Sequence, residues 1–338
     1  MIPTIHLTHN PTKDEIKLLR HACENVGFFY LKVGTSEGQD ELKQLQRQVL
    51  SQSKAFFALP LDIKKNISDS KLNRGYTGFE EETLDPMKQS KGDTKEGFYI
   101  ADDISKDDSD RYNPDKLCGP NVWPDNIDSE EFHFDAVLFK DVMVAYHQRM
   151  KVIGFTVVQM LALSLNLPKE YFDSCFDTNP MAFLRLLHYS SEQSNMEEGI
   201  YACGAHSDYG MITILATDEN PGLQIKFDED DDKNSNRNDE ECWIDVAPPP
   251  LGTFVVNLGD MLERWTNGRY KSTVHRVLSK TGRERFSMPF FYEPAFDTIV
   301  TCLPSCIGED GIAKYPPTTS GQHLISKYKE THADFEHK

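Results

Sequence analysis

Residues 204–215, GAHSDYGMITIL, place His206 and Asp208 two positions apart at the head of an apolar run. Residues two apart point the same way on a β-strand but about 200° apart on an α-helix, so only a strand lets both side chains bind one metal ion. The run is rich in β-branched residues and ends at a turn signal over 218–222. It therefore predicts a strand whose one face carries His206, Asp208, Gly210, Ile212 and Ile214.

The tripeptide His-x-Asp occurs at two other places, so it does not identify a metal site by itself. His133-Phe-Asp135 lies in a segment whose apolar residues follow a helical spacing, which predicts a structural role. His332-Ala-Asp334 lies within the last seven residues, where chain ends are commonly frayed, and we expect it to be solvated. Only the copy at 206–208 is predicted to chelate a metal.

Length and charge limit the classes of partner. A chain of 338 residues can bury a large core, as one large domain or two modest ones. The formal net charge of -18 argues against nucleic acid or an anionic membrane as a partner, because both attract basic surfaces. Much of the acidic excess lies in residues 227–241, which we interpret as a solvated loop between two strands. We expect a monomer that acts on a small molecule.

The cysteines and the N-terminus bear on the cellular compartment. The seven cysteines contain no Cys-x-x-Cys pair and form no even set, so free thiols in a reducing compartment are expected. The N-terminal residues lack a basic region followed by an apolar core, and no apolar run reaches membrane-spanning length. Together these features predict a cytoplasmic protein.

Residues 1–125 are predicted to form an α/β part. The strand-like segment IPTIHL precedes a helix in which Thr12 is the N-cap and Glu15 its capping-box partner. A second strand, VGFFYLKVG, and a second helix that ends near Pro60 follow. The segment 73–124 is irregular around one strand, EGFYI. Because long irregular segments in compact proteins are often functional, we expect it to cover the active site.

The rest of the chain changes from helices to strands. Residues 126–170 predict spine helices, because TVVQMLALSLNL is apolar nearly all round. Over 180–305, eight short strand-like segments from MAFLRLLHY to TIVTCLP are typical of a jelly roll or a barrel. Residues 306–338 predict a final helix. With no repeat or flexible linker, we predict a single α+β domain over 1–338, with a double-stranded β-helix (jelly-roll) core flanked by helices, including a long central helix.

His275 is the candidate third metal ligand. It lies in the β-branched segment KSTVHRV, 67 positions beyond Asp208, and several strands would fill that gap. Two imidazoles and one carboxylate on one face of an octahedron leave three positions open, as in non-haem Fe(II) oxygenases. Zinc with the same ligands would make a hydrolase, so the ligand types leave the metal open. Nearby, Arg285, Ser287 and Phe291 alternate on one face, where a guanidinium beside a hydroxyl forms a clamp for an organic acid.

Eight motifs spread over nearly the whole chain are similar to those of one family. The N-terminal half contains IPTIHL, CENVGFFYLKVG, FFALPLDIKK and NRGYTG, and the C-terminal half contains HSD, PGLQI, VVNLGDMLERWTNGRYKSTVHRV and RERFS. With this highly specific set, the sequence resembles the Fe(II)- and 2-oxoglutarate-dependent dioxygenases of the isopenicillin N synthase-like family.

The resemblance implies roles for residues that match the family's motifs. Iron would be ligated by His206, Asp208 and His275, and 2-oxoglutarate would be held by Arg285, Ser287 and Tyr189. Leu187 departs from the pattern, because many members have asparagine there. The implied reaction converts 2-oxoglutarate and O2 to succinate and CO2 while a small molecule is hydroxylated, desaturated or closed into a ring. Ascorbate is expected to be needed in vitro.

The resemblance also indicates where a substrate would bind. The family places substrate contacts at Arg185 and Phe291. Arg185 lies on an otherwise apolar face, so it either meets a substrate carboxylate or forms a buried ion pair. Other candidates lie in the segment expected to cover the active site: Arg74, Tyr76, Lys95, Phe98 and Tyr99. Several cations near the pocket favour a small, carboxylate-bearing substrate.

Two other functions stay open. Isopenicillin N synthase and the ethylene-forming plant oxidase keep the Arg-x-Ser pair without consuming 2-oxoglutarate, so a 2-oxoglutarate-independent iron oxidase is one alternative. A non-catalytic ligand-binding protein is the other. The intact His206, Asp208, His275 and Arg285 weigh against a pure binder, because it has no need of an open metal face. Formation of succinate from 2-oxoglutarate would distinguish the leading function from both.

Overall fold

The computed structural model describes residues 2–34, 36–69, 71–125, 127, 129–227, 242–308 and 311–331. All but the first residue of the predicted acidic loop at 227–241 lies outside the described residues, as does the His-x-Asp copy at 332–334. All seven cysteines lie within the described part of the chain and carry free thiols, as predicted. None of the described helices combines the length and the apolarity needed to span a bilayer.

The N-terminal part supplies strands to both edges of a large sheet. Its elements are β1 Thr4–Leu7, α1 Lys13–Asn25, β2 Phe28–Val33, α2 Ser36–Phe57, α3 Leu61–Lys65, β3 Ser68–Asp69, β4 Arg74–Thr77 and β5 Lys95–Ile100. The capping box of α1 is confirmed. Thr12 Oγ1 accepts the Glu15 backbone N–H at 3.2 Å, and the Glu15 carboxylate accepts the Thr12 N–H at 2.7 Å. The prediction that NRGYTG is irregular is wrong, because this segment forms β4 by pairing with β5.

The C-terminal part folds into two sheets that pack on each other. Its strands are β6 Pro180–Tyr189, β7 Cys203–His206, β8 Ile212–Thr217, β9 Leu223–Lys226, β10 Trp243–Asp245, β11 Thr253–Leu258, β12 His275–Val277 and β13 Arg285–Ala295. The large sheet has the order β1-β2-β11-β8-β13-β6-β5-β4-β3, and the small sheet has the order β10-β9-β12-β7. Consecutive strands from β6 to β13 change sheets at every step except β9 to β10. This is a jelly roll, and the predicted fold class is confirmed.

Seven of the eight predicted strand segments belong to the jelly roll. The eighth, TIVTCLP, contributes β14 Ile299–Val300, which pairs with β15 Thr318–Thr319 outside both sheets. The missing jelly-roll strand is β7, which the sequence pattern merges with β8. Periodicity did not separate these two strands, because the residues that join them continue the same alternation.

Helices cover the jelly roll on the side of the large sheet. They are α4 Ser129–Phe132, α5 Ala136–Ser164, α6 Asp173–Phe176, α7 Asp260–Trp265 and α8 Ser320–Thr331. The central helix α5 has 29 residues and is therefore about 44 Å long. It packs against α1, α2, β6 and β13 and is buried along most of its second half, which confirms the predicted spine.

His133 and Asp135 separate α4 from α5. His133 has a φ of 50°, in the left-handed region, which interrupts a right-handed helix. Asp135 caps α5, because its carboxylate accepts the Leu138 N–H at 2.9 Å. The structural role predicted for this copy of the tripeptide is confirmed, but the prediction that it lies inside a helix is wrong.

One hydrophobic core joins the N-terminal helices to the large sheet. The Phe56 ring of α2, for example, lies 4.6 Å from the Phe98 ring of β5 and 5.3 Å from the Phe139 ring of α5. A second, smaller cluster lies between the two sheets and includes Phe28 and Leu187. The single domain over 1–338 stays a prediction. The subdivision at 1–125, 126–170, 180–305 and 306–338 stays a prediction.

Gly154 allows α5 to approach β13 closely. A Cβ at this position would lie 2.8 Å from Cδ1 of Tyr292. We predict that Gly154→Leu lowers the free energy of unfolding by roughly 1–3 kcal/mol through overpacking, measured by chemical denaturation. The control is Val152→Leu on the exposed side of the same helix, which is expected to change it by less than about 0.5 kcal/mol. Equal stability of the two variants would contradict this account.

Candidate active site

His206, Asp208 and His275 meet where the two sheets join. His206 ends β7 and His275 begins β12, and the two residues are opposite each other in the pairing of these strands. Nε2 of His206 lies 3.7 Å from Asp208 Oδ1, and Nε2 of His275 lies 3.6 Å from the same oxygen. The three ligand atoms lie within 4.8 Å of one another, so one metal ion can reach all of them.

His206 and Asp208 do not share a strand, contrary to the prediction. β7 ends at His206 and β8 begins at Ile212 in the other sheet, so the chain crosses between the sheets over 207–211. This crossing packs closely against β13 at Gly210. A Cβ at this position would clash with the Glu293 carboxylate, so the close approach requires glycine. The two ligands are therefore brought together by the turn between the sheets and not by strand alternation.

Both imidazoles present a lone pair to the site. Nδ1 of His206 lies 2.9 Å from the Gly204 carbonyl oxygen, and Nδ1 of His275 lies 3.1 Å from the Thr273 carbonyl oxygen. A carbonyl oxygen only accepts hydrogen bonds, so Nδ1 must carry the proton in each neutral ring. Nε2 is then left unprotonated in both rings, which is the form that ligates a metal.

Two residues of the large sheet orient Asp208. Its Oδ2 accepts a hydrogen bond from Asn257 Nδ2 at 2.6 Å and another from the Thr213 hydroxyl. Oδ1 is thereby directed at the histidines. Asn257 lies within β11, and its side-chain amide binds the carboxylate. Sequence reasoning missed both supporting residues, since their side chains meet Asp208 only through sheet pairing.

The electrostatics favour a metal-binding protonation state. Burial lowers the pKa of His275 to about 4, and the neighbouring His206 contributes to this shift. Burial opposes ionisation of Asp208, but the two histidines and the two hydrogen bonds outweigh it, so the pKa of Asp208 lies below its usual value. At neutral pH, His275 is therefore neutral and Asp208 is ionised.

A cavity of about 580 Å³ between the sheets carries Arg285 and Ser287 on its wall beside the three candidate ligands. Arg285 is 5% exposed, and its Nε and Nη1 have no hydrogen-bond partner among the described residues. The Ser287 hydroxyl also lacks one. The Arg285 Cζ lies 4.8 Å from the Tyr189 ring, which faces it across the pairing of β13 and β6. A buried cation with unused donors calls for an anionic ligand, and the cavity fits a dicarboxylate.

A second cavity of about 620 Å³ adjoins the same metal ligands. Three sequence-based candidates line it, namely Arg185, Phe291 and Tyr99. The candidate Lys95 lines the neighbouring cavity that contains Arg285. Of the two alternatives for Arg185, the structure shows the buried ion pair, with Nη2 2.5 Å from Oε1 of Glu82. Glu82 belongs to the segment predicted to cover the active site.

Three other candidates do not line either cavity, so the structure gives these substrate assignments no support. Arg74 lies behind the cavity, where its guanidinium donates to the carbonyl oxygens of Leu72 at 2.7 Å and Leu117 at 2.8 Å. The Tyr76 hydroxyl donates to Glu96 at 2.6 Å within the core. Phe98 is fully buried in the same core. Alternation explains Phe98, because it points to the face of β5 opposite to that of Lys95 and Tyr99.

Several residues on the wall of the second cavity escaped sequence reasoning: Glu82, Phe183, Tyr209, Glu293, Leu324 and Tyr328. A signal existed for Glu293, since it lies one alternation beyond Phe291 on β13. None existed for Leu324 and Tyr328, because the amphipathic pattern of α8 does not tell which surface the helix covers. Glu82 lay in a segment without periodicity.

Known proteins resemble this chain over nearly its full length. Residues 178–294 match the family model described as 2OG-Fe(II) oxygenase superfamily, and residues 2–126 match the one described as non-haem dioxygenase in morphine synthesis N-terminal. The chain is 35% identical over 322 residues to the 2-oxoglutarate-Fe(II) type oxidoreductase hxnY of Emericella nidulans, covering 94% of this chain and 84% of that protein. It is 32% identical over 336 residues to the kihadalactone A synthase LFS of Citrus sinensis, covering 98% and 92%.

A solved structure of a Neurospora crassa protein in complex with alpha-KG and thymine has a similar fold. Its TM-score is 0.76 at 28% sequence identity, and the match covers 97% of this chain and 96% of that one. The family resemblance, the jelly-roll fold and the implied cofactors are all confirmed by these comparisons.

Glu293 makes stability depend on pH. Burial raises its pKa to about 8, so the folded protein keeps this proton over a range in which the unfolded chain, with a pKa of about 4.5, loses it. Stability from this group is present below pH 4.5 and is lost as the pH rises through 8. This loss lowers the free energy of unfolding by up to about 5 kcal/mol. We predict that Glu293→Gln removes the loss, as measured by denaturant titrations of the metal-free protein near pH 5 and pH 8.

The control for this prediction is Glu284→Gln, whose side chain is exposed just before β13. It should keep the pH dependence of the wild type. A Glu293→Gln variant whose stability difference from the wild type is the same at both pH values would contradict the assignment.

Proposed function

The chain belongs to the 2OG-Fe(II) oxygenase superfamily, and on that premise we propose that His206, Asp208 and His275 ligate its Fe(II). The protein is an Fe(II)- and 2-oxoglutarate-dependent dioxygenase that oxidises a small molecule. One observation carries the assignment of residues: the three ligand atoms converge beside a buried arginine whose guanidinium has unused donors.

We assign 2-oxoglutarate binding to Arg285, Ser287 and Tyr189. The guanidinium and the hydroxyl supply donors for the distal carboxylate, and the Tyr189 ring packs against the guanidinium. Leu187 lies opposite Ser287 in the strand pairing and adds an apolar wall where many relatives offer an amide. Recognition at this end of the cavity therefore depends on Arg285 and Ser287.

When bound, iron and 2-oxoglutarate supply the oxidising chemistry, with succinate and CO2 as products and hydroxylation, desaturation or ring closure as the outcome for the substrate. The chain's own residues prepare the site. His206 and His275 offer neutral Nε2 atoms, Asn257 and Thr213 fix the carboxylate of Asp208, and the buried cavity walls limit access of water. Ordering these groups before the ligand arrives lowers the cost of binding.

The two alternatives make different predictions for the same cavity. An iron oxidase that does not use 2-oxoglutarate would form no succinate, and a ligand-binding protein would turn over nothing. The unused donors of Arg285 favour a dicarboxylate, and so the 2-oxoglutarate-dependent reaction. Thymine, named with the Neurospora crassa structure, is a suitable first probe for stimulated succinate formation.

The unpaired cysteines and the net charge of -18 support a cytoplasmic monomer without a nucleic acid or membrane partner.

Asp208→Ala tests the metal assignment. We predict that succinate formation from 2-oxoglutarate falls by more than about 100-fold, because residues that merely orient metal ligands are already worth about 10- to 100-fold. The metal-free variant should still fold, which a cooperative thermal unfolding transition would show. Asp334→Ala, in the third His-x-Asp copy, is the control and should retain wild-type activity. Retained activity of Asp208→Ala would contradict the assignment.

Arg285→Gln tests the co-substrate assignment. Loss of one charge-assisted hydrogen bond costs about 1.5–3 kcal/mol, so we predict that the KM for 2-oxoglutarate rises by about 10- to 150-fold. Affinity for the metal should stay unchanged. Arg283→Gln provides the matched control, because Arg283 is exposed two residues earlier. An unchanged KM in Arg285→Gln would favour the 2-oxoglutarate-independent oxidase.

A further inference from the structure

Two buried arginines lie beside the metal ligands, and they differ in their partners: Arg285 lines the first cavity only, whereas Arg185 lies between the two cavities and lines both. Arg285 has no acidic partner among the described residues, and two of its guanidinium nitrogens make no hydrogen bond. Arg185 instead forms an ion pair with Glu82, with Nη2 and Oε1 2.5 Å apart. Its guanidinium also lies 4.3 Å from the Tyr99 ring. The Nε of Arg185 also makes no hydrogen bond among the described residues, but the charge of Arg185 is already paired with a carboxylate, whereas that of Arg285 is not.

The ion pair of Arg185 is part of a buried network that includes four charged residues. Lys95 Nζ lies 3.1 Å from Oε2 of Glu82 and also pairs with the Asp93 carboxylate. All four residues are at most 7% exposed. Two cations and two carboxylates sum to zero charge. Arg185 and Lys95, the two cations from the sequence analysis that line the cavities, are therefore already paired with carboxylates.

The backbone holds this network in place. The Asp93 N–H donates to the Glu82 carbonyl oxygen at 2.8 Å, so the two acids are fixed beside each other. The Asp93 carboxylate also accepts the Gly204 N–H at 2.9 Å and Gln89 Nε2 at 2.8 Å. Because Gly204 lies on β7 with His206, the network is tied to the strand that carries a metal ligand. These hydrogen bonds thus fix Glu82 in the wall of the cavity.

The other groups of the second cavity do not restore a positive charge. Glu293, which is 2% exposed, and Asp208 at the metal end both line this cavity, and neither side chain can carry a positive charge. The remaining walls are aromatic or apolar, with Phe183 and Phe291 among them. Among the described residues that line this cavity, a buried carboxylate would find no lysine or arginine outside the ion pair with Glu82, which is costly. An uncharged planar molecule would stack on the rings and hydrogen-bond to the polar groups.

We propose that the substrate is a small uncharged molecule, aromatic or heteroaromatic and rich in hydrogen-bonding groups, and that Glu82 determines this specificity by occupying Arg185. The inference rests on the proposed function, because it concerns the substrate cavity of the same site. It reverses the carboxylate-bearing substrate expected from the sequence. Removal of the Glu82 charge should release Arg185 and convert the cavity into a carboxylate site.

The test compares matched amides and carboxylates on wild type and Glu82→Gln. The probes are benzamide with benzoate and phenylacetamide with phenylacetate, added to protein that holds Fe(II) and 2-oxoglutarate without O2. Binding is measured by calorimetric titration. We expect both carboxylates to bind Glu82→Gln with a Kd about 10- to 100-fold lower than the wild type, as for one charge-assisted hydrogen bond gained. The control is Glu81→Gln, because Glu81 is the exposed neighbour of Glu82 in the sequence, and this variant should bind the probes as the wild type does.

Two results would overturn the proposal: carboxylates that bind the wild type as tightly as their amides, or Glu82→Gln without a gain in carboxylate affinity. In Glu82→Gln, Arg185 loses its partner. If this variant does not fold for that reason, the proposal is tested by the affinities of the wild type for amides and carboxylates and by the double variant Glu82→Gln/Arg185→Gln. The double variant leaves no unpaired charge and should gain no carboxylate affinity; a gain would count against the proposal. Succinate formed by the wild type without a probe tests the proposed function separately.

Discussion

The pairing of β7 with β12 is the constraint on which the site depends. It sets His275 opposite His206, and the chain then leaves the small sheet immediately, so that Asp208 lies in the crossing to the large sheet. There the carboxylate meets Thr213 and Asn257, which belong to two strands of the other sheet. The candidate metal centre thus draws its ligands and their supports from both sheets. A shift of either sheet would separate atoms that must lie within a few ångströms.

The two buried arginines of the site have different roles, because they have different negative partners. Arg285 and Arg185 lie on neighbouring strands, β13 and β6, and both are almost inaccessible to solvent. A buried guanidinium needs a negative partner, and the source of that partner decides its role. For Arg285 the partner is expected from the co-substrate, whereas for Arg185 it is Glu82. Residue type alone therefore does not identify a carboxylate site; the neighbouring charges do.

Much of the fold followed from local patterns, and the failures have physical causes. Period-two alternation and turn signals located seven jelly-roll strands, and the capping box fixed the start of α1. Alternation failed at 204–215, because a pattern that runs through a turn cannot show that the chain changes sheets. Arg74 and Tyr76 lie away from the cavities because partners distant in sequence, Leu117 and Glu96, determine their positions. For Phe98 the local pattern was informative, because alternation along β5 places it on the face opposite to Lys95 and Tyr99. Glu82 and α8 reach the cavity only through tertiary packing, which no local pattern encodes.

The metal and the co-substrate are assigned to defined residues, and diffraction can locate both. The most direct measurement is anomalous diffraction at the iron edge from crystals grown without O2 in the presence of Fe(II) and 2-oxoglutarate. The account predicts one iron peak bonded to Nε2 of His206, Nε2 of His275 and Oδ1 of Asp208, with the distal carboxylate of 2-oxoglutarate on Arg285. An iron peak elsewhere, or a carboxylate bound to Arg185 while Arg285 stays unpaired, would contradict it.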